Sequence, residues 1–271
     1  MDKVIVTLTT IPTRLNYSNE YGIMSCVNSL LNQNYENYEI HFNIPYVNLT
    51  TNSEYVVPEE LLSEPKIKVF RTDDLGPLTK SMPTIQRISD DNTIIVVVDD
   101  DLVYHSDMVA AHVQNQYTWP EAVIGYDGMR SRDENGNFSG YFGDVRDYYF
   151  TSNYKSSRVD ILQHYKSVSY KRRYFENDFF DFVKENYSWA DDLLLAAYFS
   201  YKKRDRIATF HESDEHLDTY EKWSTRGGVQ SFPVLRHTHH EHLEGCNIFR
   251  SQQANDNSGN LFTFIDHGYN K

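Results

Sequence analysis

The sequence has little of what defines membrane proteins, cysteine-based metal proteins and nucleic-acid-binding proteins. It contains only 2 cysteines, Cys26 and Cys246, which lie far apart and form no metal-binding spacing. No apolar run approaches the ~20 residues of a membrane-spanning helix. The chain has 39 acidic and 26 basic residues and a formal net charge of −13, which argues against broad binding to a nucleic-acid backbone.

The N-terminus and the cysteines indicate an intracellular protein. The first residues, MDKVIVTLTTIPTR, enter a strand pattern directly and show neither the apolar segment nor the cleavage site of a signal peptide. In a reducing compartment we expect Cys26 and Cys246 to be free, buried thiols rather than a long-range disulfide. We therefore expect a soluble, cytoplasmic protein without a membrane span.

The first hundred residues alternate between strand and helix patterns. Predicted strands cover residues 4–8, 39–44, 66–71 and 93–98, and predicted helices cover 19–32 and a segment through Met82, Ile85 and Ile88. This alternation predicts an α/β fold with a doubly wound, mostly parallel sheet. The fourth strand is apolar throughout, as central strands that are buried on both faces are.

The pattern changes after residue 105. Residues 108–119 and 188–201 have helical spacing, and Ser188 or Asp191 is the candidate N-cap of the second of these helices. Residues 125–143 are rich in glycine, asparagine and aromatic side chains, which is typical of hairpins or loops. Because no repeat and no linker separates the parts, we expect residues 1–271 to form one domain in which 1–105 and 106–271 share a cleft.

Three consecutive aspartates, Asp99, Asp100 and Asp101, follow the most hydrophobic strand of the chain. Carboxylates this crowded need a cation, hydrogen bonds or raised pKa values, and their oxygens suit Mg²⁺ or Mn²⁺. Alternation along a strand would place Asp99 and Asp101 on one side and Asp100 on the other. Ligands of parallel sheets bind beyond the carboxyl ends of the strands, so we interpret the triplet as a metal site. The alternative is a solvated loop with capping aspartates.

An ordered set of segments resembles the nucleotide-sugar-dependent glycosyltransferases of the GT-A fold, in particular a bacterial and viral subgroup. The segments are, in chain order, VTLTTIPTR, DDLGPLTKSMPTI, IIVVVDDDLVY, VDILQHYKSVSY and SWADDLLLAAYF. They resemble the nucleotide-binding first strand, the GP-x-TK segment, the D-x-D strand, an acceptor-side strand and the helix with the catalytic acid pair. The resemblance covers most of residues 4–200. It implies transfer of a sugar from a nucleoside diphosphate, UDP first and GDP second, to a hydroxyl group of a glycan or glycoprotein acceptor.

The resemblance also implies roles for individual residues on the donor side. Asp99 and Asp101 would hold Mn²⁺ or Mg²⁺, and Asp99 would also approach the ribose. The residues implied to contact the donor are Thr9, Thr10, Arg14, Asp74, Gly76, Lys80, Asp99 and Asp100. An ordinary strand-end, turn or surface role is the alternative for single members of this set, such as an exposed lysine at a helix start for Lys80.

The resemblance places the catalytic acids at Asp191 and Asp192. Asp192 would be the general base that deprotonates the acceptor hydroxyl in an inverting displacement, and Asp191 would position the acceptor. Relatives often have Glu-Asp at this place, and the alternative role of the pair is to cap the helix. In VDILQHYKSVSY, relatives often carry glycines where this chain has His164, Lys166 and Ser167, so the acceptor's identity is not implied.

A late histidine cluster offers a further metal ligand. It consists of His237, His239, His240 and His242. If residues 233–241 are extended, His237 and His239 share one face and either could complete the metal site. The alternatives are a separate zinc site and a solvated or aromatic-packed segment.

Two other functions fit part of the pattern. A metal-dependent nucleotidyltransferase or phosphodiesterase also uses clustered aspartates, but sugar nucleotidyltransferases usually have a glycine-rich N-terminal loop and residues 9–14 contain no glycine. A non-catalytic carbohydrate-binding module would use aromatic residues such as Trp119, Tyr141 and Trp223. Such a module would not need an acidic triplet beside a nucleotide-type strand.

Overall fold

Strands and helices alternate along the chain in the computed structural model, which describes residues 1–15, 23–132, 138–144, 156–188, 190–209 and 230–231. The strands are β1 (Val4–Leu8), β2 (Tyr38–Pro45), β3 (Val47–Asn48), β4 (Ser53–Glu54), β5 (Ile67–Thr72), β6 (Ile94–Val97), β7 (Leu102–Val103), β8 (Val123–Gly125), β9 (Gly128–Arg132), β10 (Phe138–Asp144), β11 (Ser156–Arg158), β12 (Ile161–Leu162), β13 (Val168–Lys171), β14 (Arg206–Thr209) and β15 (Gln230–Ser231). The α-helices are α1 (Pro12–Leu15), α2 (Ile23–Leu31), α3 (Glu59–Ser63), α4 (Met82–Arg87), α5 (Met108–Thr118), α6 (Phe179–Asn186) and α7 (Asp191–Tyr201). Short 3₁₀ helices cover Gly76–Lys80, His164–Lys166 and Arg172–Tyr174.

One sheet of eight strands organises the described residues, in the order β11-β14-β8-β13-β6-β1-β2-β5. β1 pairs in parallel with β2 and with β6, and β2 pairs in parallel with β5. β13 lies antiparallel between β6 and β8. Strands from before and after residue 105 therefore belong to the same sheet.

The central strand β6 is buried on both faces, as its apolar run predicts. Its alternate residues Ile94 and Val96 belong to a core cluster that includes side chains of α2 and α5. Ile95 and Val97 belong to a second cluster, formed with side chains of α6 and α7. Alternation along the strand sends successive side chains to opposite faces, and helices cover both. The predicted α/β class with a doubly wound, mostly parallel sheet is confirmed.

The strand order creates a crevice beside β1. The chain builds β2 and β5 on one side of β1 and then returns to build β6 on the other side. In open α/β sheets such a reversal leaves a crevice at the carboxyl ends of the two diverging strands. Residues 9–14 leave β1 at this point and residues 98–101 leave β6 there, so the topology brings these two segments together.

A helix, an antiparallel strand pair and a buried free thiol occur where the sequence predicts them. The helix expected over 19–32 is α2, and residues 16–22 lie outside the described part. β9 and β10 form an antiparallel pair within the glycine-rich segment, as expected. The free thiol of Cys26 is buried. The late residues His237, His239, His240, His242, Trp223 and Cys246 lie outside the described residues.

None of the helices in the described ranges is both long enough and apolar enough to cross a membrane.

Candidate functional site

A cleft of about 220 Å³ lies at the carboxyl edge of the sheet. Its walls come from the segments after β1 and β6, from the 3₁₀ helix Gly76–Lys80 and from the start of α7. The sequence candidates that line it are Thr9, Thr10, Arg14, Asp74, Gly76, Lys80, Asp99, Asp100, Asp101, Asp191 and Asp192. The structure thus brings every described candidate to one cavity, whereas His237 and His239 lie outside the described residues.

Arg14 joins the segment after β1 to the segment after β6. Its Nη1 donates to Asp100, and its Nη2 lies 3.2 Å from Oδ2 of Asp101. Thr10 Oγ1 donates to the other oxygen of Asp100 at 2.5 Å. Burial opposes the charge of Arg14, but Asp100 and Asp101 outweigh it and raise the pKa of the guanidinium. Thr10 and Arg14 therefore hold the acidic triplet in place.

The three aspartates do not follow strand alternation, because β6 ends before them and Asp100 and Asp101 lie in a bend. The expectation that Asp99 and Asp101 form one pair opposite Asp100 is therefore wrong with respect to their contacts. Asp100 and Asp101 share Arg14, whereas Asp99 accepts a hydrogen bond from Lys80 at 2.8 Å.

The ionised form of Asp101 is costly in this environment. Burial raises the pKa of its carboxyl, Arg14 lowers it, and Asp100 and Asp99 raise it further, so that the pKa lies at about 7. A cation beside this carboxylate would stabilise its charged form.

Lys80 connects the triplet to the start of α7. Its Nζ lies 2.8 Å from Oδ1 of Asp99 and 2.9 Å from Oδ2 of Asp191. The residue is only 7% exposed, so the alternative of an exposed surface lysine is wrong. Burial lowers the pKa of Lys80, but Asp191 and Asp99 outweigh this and hold it well above its ordinary value. The ammonium group is therefore charged and lies between the two acidic clusters.

A buried polar network fixes the backbone of Lys80. Thr7 Oγ1 donates to the Lys80 carbonyl at 2.6 Å, and Asn43 Nδ2 donates to Thr7 and Thr84 at 3.1 and 3.0 Å. Arg87 donates to Oδ1 of Asn43 at 2.7 Å. No sequence pattern indicates this network, because Thr7 and Asn43 lie within ordinary strand patterns and meet only when β1 pairs with β2.

Asp74 and Gly76 shape the turn that precedes Lys80. Asp74 accepts hydrogen bonds from the backbone N–H groups of Gly76 and Leu49, at 2.8 and 2.9 Å. Gly76 has a φ of 60°, in the left-handed region that favours glycine. The cleft wall at this place is therefore set by backbone geometry.

Helix α7 begins with the acid pair, in its first turn, where the helix dipole favours negative charge. The N-cap is Ala190, which has no side chain that can cap. The prediction of Ser188 or Asp191 as N-cap is therefore wrong. Ser188 instead accepts a hydrogen bond from the backbone of Ala190 at 3.2 Å.

The two acids of the pair have different partners. Asp191 is 7% exposed and contacts Lys80. The side chain of Asp192 is 34% exposed, and its Oδ1 accepts hydrogen bonds from Nδ1 and the backbone N–H of His164, at 2.5 and 3.0 Å. Within the described ranges, His164, Asp191 and Asp192 form the one group of three potential metal ligands whose ligand atoms all lie within 4.8 Å. Lys80 already supplies a positive charge to this group.

Tyr104 and Tyr165 join the triplet to the turn that carries His164. The Tyr104 hydroxyl accepts from the backbone N–H of Asp99 and donates to the Tyr165 carbonyl, both at 2.9 Å. Tyr165 lines the cleft and donates its hydroxyl to Asp127 at 2.6 Å. No local pattern indicates these contacts beyond the departure at His164, because each of them depends on long-range packing.

This arrangement combines two kinds of chemistry in one cleft. The carboxylates of Asp99 and Asp101 offer the oxygen ligands that Mg²⁺ and Mn²⁺ prefer. The partly exposed carboxylate of Asp192 can accept a proton from a neighbouring hydroxyl group. Lys80 supplies a fixed positive charge between them.

No family model matches the chain, and no curated protein matches it. Among solved structures, it is similar to the crystal structure of residues 1–349 of TarS from S. aureus, with a TM-score of 0.46 and 12% identity over 76% of this chain and 58% of that chain. The same TarS segment in complex with UDP gives a TM-score of 0.46 and 14% identity over 73% of this chain and 55% of that chain. The chain thus spans little more than half the length of either structure.

Proposed function

We propose that the protein is a metal-dependent glycosyltransferase that moves a sugar from a nucleoside-diphosphate sugar to a hydroxyl group of a glycan or glycoprotein acceptor. One observation carries this proposal: the acidic triplet after β6 and the acid pair of α7 line a single cleft and share the ammonium group of Lys80. The resemblance of the sequence motifs to the GT-A glycosyltransferases supports the same function.

We assign the donor to the edge of the cleft that residues 1–105 provide. Nucleotides bind α/β sheets at the point where the strand order reverses, and that point lies between β1 and β6. Lys80 is the cation that reaches from the triplet towards the acid pair, so we expect it to contact the diphosphate. UDP is the first nucleotide to test and GDP the second.

We assign Mn²⁺ or Mg²⁺ to Asp99 and Asp101. The donor set fits such an ion, because both residues line the cleft and offer carboxylate oxygens. When bound, the ion supplies positive charge against the negative charge that builds on the leaving diphosphate. His237 and His239 remain candidates for an additional ligand.

We assign the general base to Asp192 and the positioning of the acceptor to Asp191. Asp192 has the more exposed side chain, and both hydrogen bonds from His164 go to its Oδ1, which leaves Oδ2 for the acceptor hydroxyl. The carboxylate of Asp191 forms an ion pair with Lys80. In an inverting displacement the acceptor proton moves to Asp192 as the acceptor oxygen bonds to the anomeric carbon, and the diphosphate leaves with the electron pair of the broken bond.

Thermal unfolding with nucleotides tests the proposal, because a ligand that binds only the native state raises the melting temperature. We expect UDP or GDP to raise it in the presence of Mn²⁺, with a smaller rise in excess chelator. Release of the nucleoside diphosphate from UDP-glucose, UDP-N-acetylglucosamine or GDP-mannose then tests catalysis. No shift with any nucleoside diphosphate and no release would overturn the proposal. Stabilisation by nucleoside triphosphates with release of pyrophosphate would instead indicate a nucleotidyltransferase.

A further inference from the structure

We infer that His164 is a positioning residue for Asp192, which orients the carboxylate so that one oxygen is left for the acceptor hydroxyl. This inference rests on the proposed function, since it assigns a task in the same reaction. It concerns a residue whose side chain is buried and therefore does not itself contact the acceptor.

His164 and Asp192 are joined by two hydrogen bonds. The imidazole Nδ1 lies 2.5 Å from Oδ1 of Asp192, and the backbone N–H of His164 donates to the same oxygen at 3.0 Å. Two donors on one carboxylate oxygen fix the rotation of the carboxylate plane as well as its position. Since Oδ1 is occupied in this way, Oδ2 is the oxygen that can accept a proton.

Nδ1 of His164 also lies 4.0 Å from Oδ2 of Asp191, which is beyond hydrogen-bond distance. An ionised carboxylate can only accept, so Nδ1 of His164 carries the proton in this hydrogen bond. Nε2 is buried and makes no hydrogen bond to any described residue, and the small cavity beside His164 is lined by apolar side chains such as Leu162 and Phe199 and also by Arg206. Within the described residues, the hydrogen bond of this imidazole therefore goes to Asp192.

The turn that carries His164 is held rigidly from both sides. The backbone N–H of Ser167 donates to the His164 carbonyl at 2.9 Å, and Ser167 has a φ of 87°. A non-glycine residue in this region is strained, and such strain clusters at functional sites. Lys166 belongs to the same turn. Its Nζ lies 2.9 Å from Oδ2 of Asp127, and both side chains are buried. His164 is thus in place before any substrate binds.

During transfer, the hydrogen bond from His164 need not break. The acceptor O–H bond breaks, its proton bonds to Oδ2 of Asp192, and Oδ1 continues to accept from Nδ1 and the backbone. The proton on Nδ1 stays on the imidazole throughout. His164 therefore acts by geometry, and its loss should lower turnover without affecting donor binding.

Two variants and a matched control test this. His164→Ala removes the side-chain donor, whereas His164→Asn places an amide N–H near the position of Nδ1. We expect His164→Ala to lower kcat for nucleoside-diphosphate release by about 10–100-fold, as for other small misplacements of a catalytic group, with the donor KM within about twofold. His164→Asn should recover most of this loss. His41→Ala, which removes a buried histidine within β2, should lower the melting temperature and leave kcat unchanged.

An unchanged kcat in His164→Ala overturns the inference, and so do equal losses in the Ala and Asn variants. A wild-type protein that releases no nucleoside diphosphate overturns the proposed function instead. Urea unfolding of His164→Ala, Asp192→Ala and the double variant then still tests the contact between the two side chains. Non-additive changes support the contact, and additive changes overturn it.

Discussion

Lys80 and Asp191 form an ion pair across the cleft, with Nζ of Lys80 2.9 Å from Oδ2 of Asp191. The same ammonium group lies 2.8 Å from Asp99, so one buried cation is shared by a strand end and a helix start. Charges removed from water are stable only while they are paired. This relationship makes Lys80 part of the fold as well as of the candidate site.

Lys80→Met should lower the free energy of unfolding by about 3–5 kcal/mol, because Asp191 would remain buried without its cation. The double variant Lys80→Met/Asp191→Asn should recover most of that loss and still bind the donor poorly. Urea unfolding at neutral pH and donor titration measure the two effects. Additive losses in the double variant would show that the pair is not coupled.

Asp192→Asn should lower turnover by about 10²–10⁴-fold, the usual contribution of a general base, because the amide cannot accept the acceptor's proton. The change keeps the shape of the side chain, so the melting temperature and the donor KM should change little. Asp191→Asn should act mainly on acceptor affinity and on stability, through Lys80. Steady-state kinetics compare the loss of turnover in the two variants, and a larger loss in Asp191→Asn would assign the base to Asp191.

Removal of divalent metal by a chelator should abolish transfer, and added Mn²⁺ should restore it. Mn²⁺ alone should raise the melting temperature of the wild-type protein, and Asp101→Asn should lose this rise because a ligand oxygen is removed. Asp181→Asn, which changes an exposed carboxylate on α6, serves as the control and should keep it. Full activity in excess chelator would contradict the metal assignment.

The protein should become less stable at acidic pH, because His112 binds a proton more readily in the unfolded chain than in the folded protein. Burial lowers the pKa of His112 to about 3, and its ring nitrogens lie 2.8 Å from the hydroxyl groups of Ser169 and Ser167. An unfolded histidine titrates near 6.5, so between about pH 6.5 and 3 the unfolded chain binds a proton that the folded protein does not. Stability is therefore lost as pH falls through this window, by up to about 1.4 kcal/mol per pH unit from this group.

The variant His112→Gln isolates that contribution. It should be less stable than the wild type at pH 7, but its free energy of unfolding should fall less steeply between pH 7 and pH 5. Urea unfolding at both pH values provides the comparison. Equal slopes for the two proteins would contradict the assignment to His112.

Local pattern was sufficient for the elements whose side chains repeat with a clear period. The apolar run that became β6 predicted a central strand, because every residue of such a strand must be apolar when both faces are buried. The helical spacing of residues 108–119 and 188–201 likewise predicted α5 and α7 to within a few residues. The N-cap of α7 was predicted wrongly, because the chain enters the helix through Ala190.

The sequence by itself determined the α/β class, the order of the strands along the chain and the set of acidic residues at their ends, since these depend on short-range periodicity and residue type. Only the tertiary structure decided which charges pair. Arg14 meets Asp100, Lys80 meets Asp191, and His164 meets Asp192, after β6 has inserted beside β1 and β13 beside β6. Such contacts join residues that are distant in the chain, and no local pattern encodes them. Their energies depend on burial, which exists only once the sheet and its helices have packed.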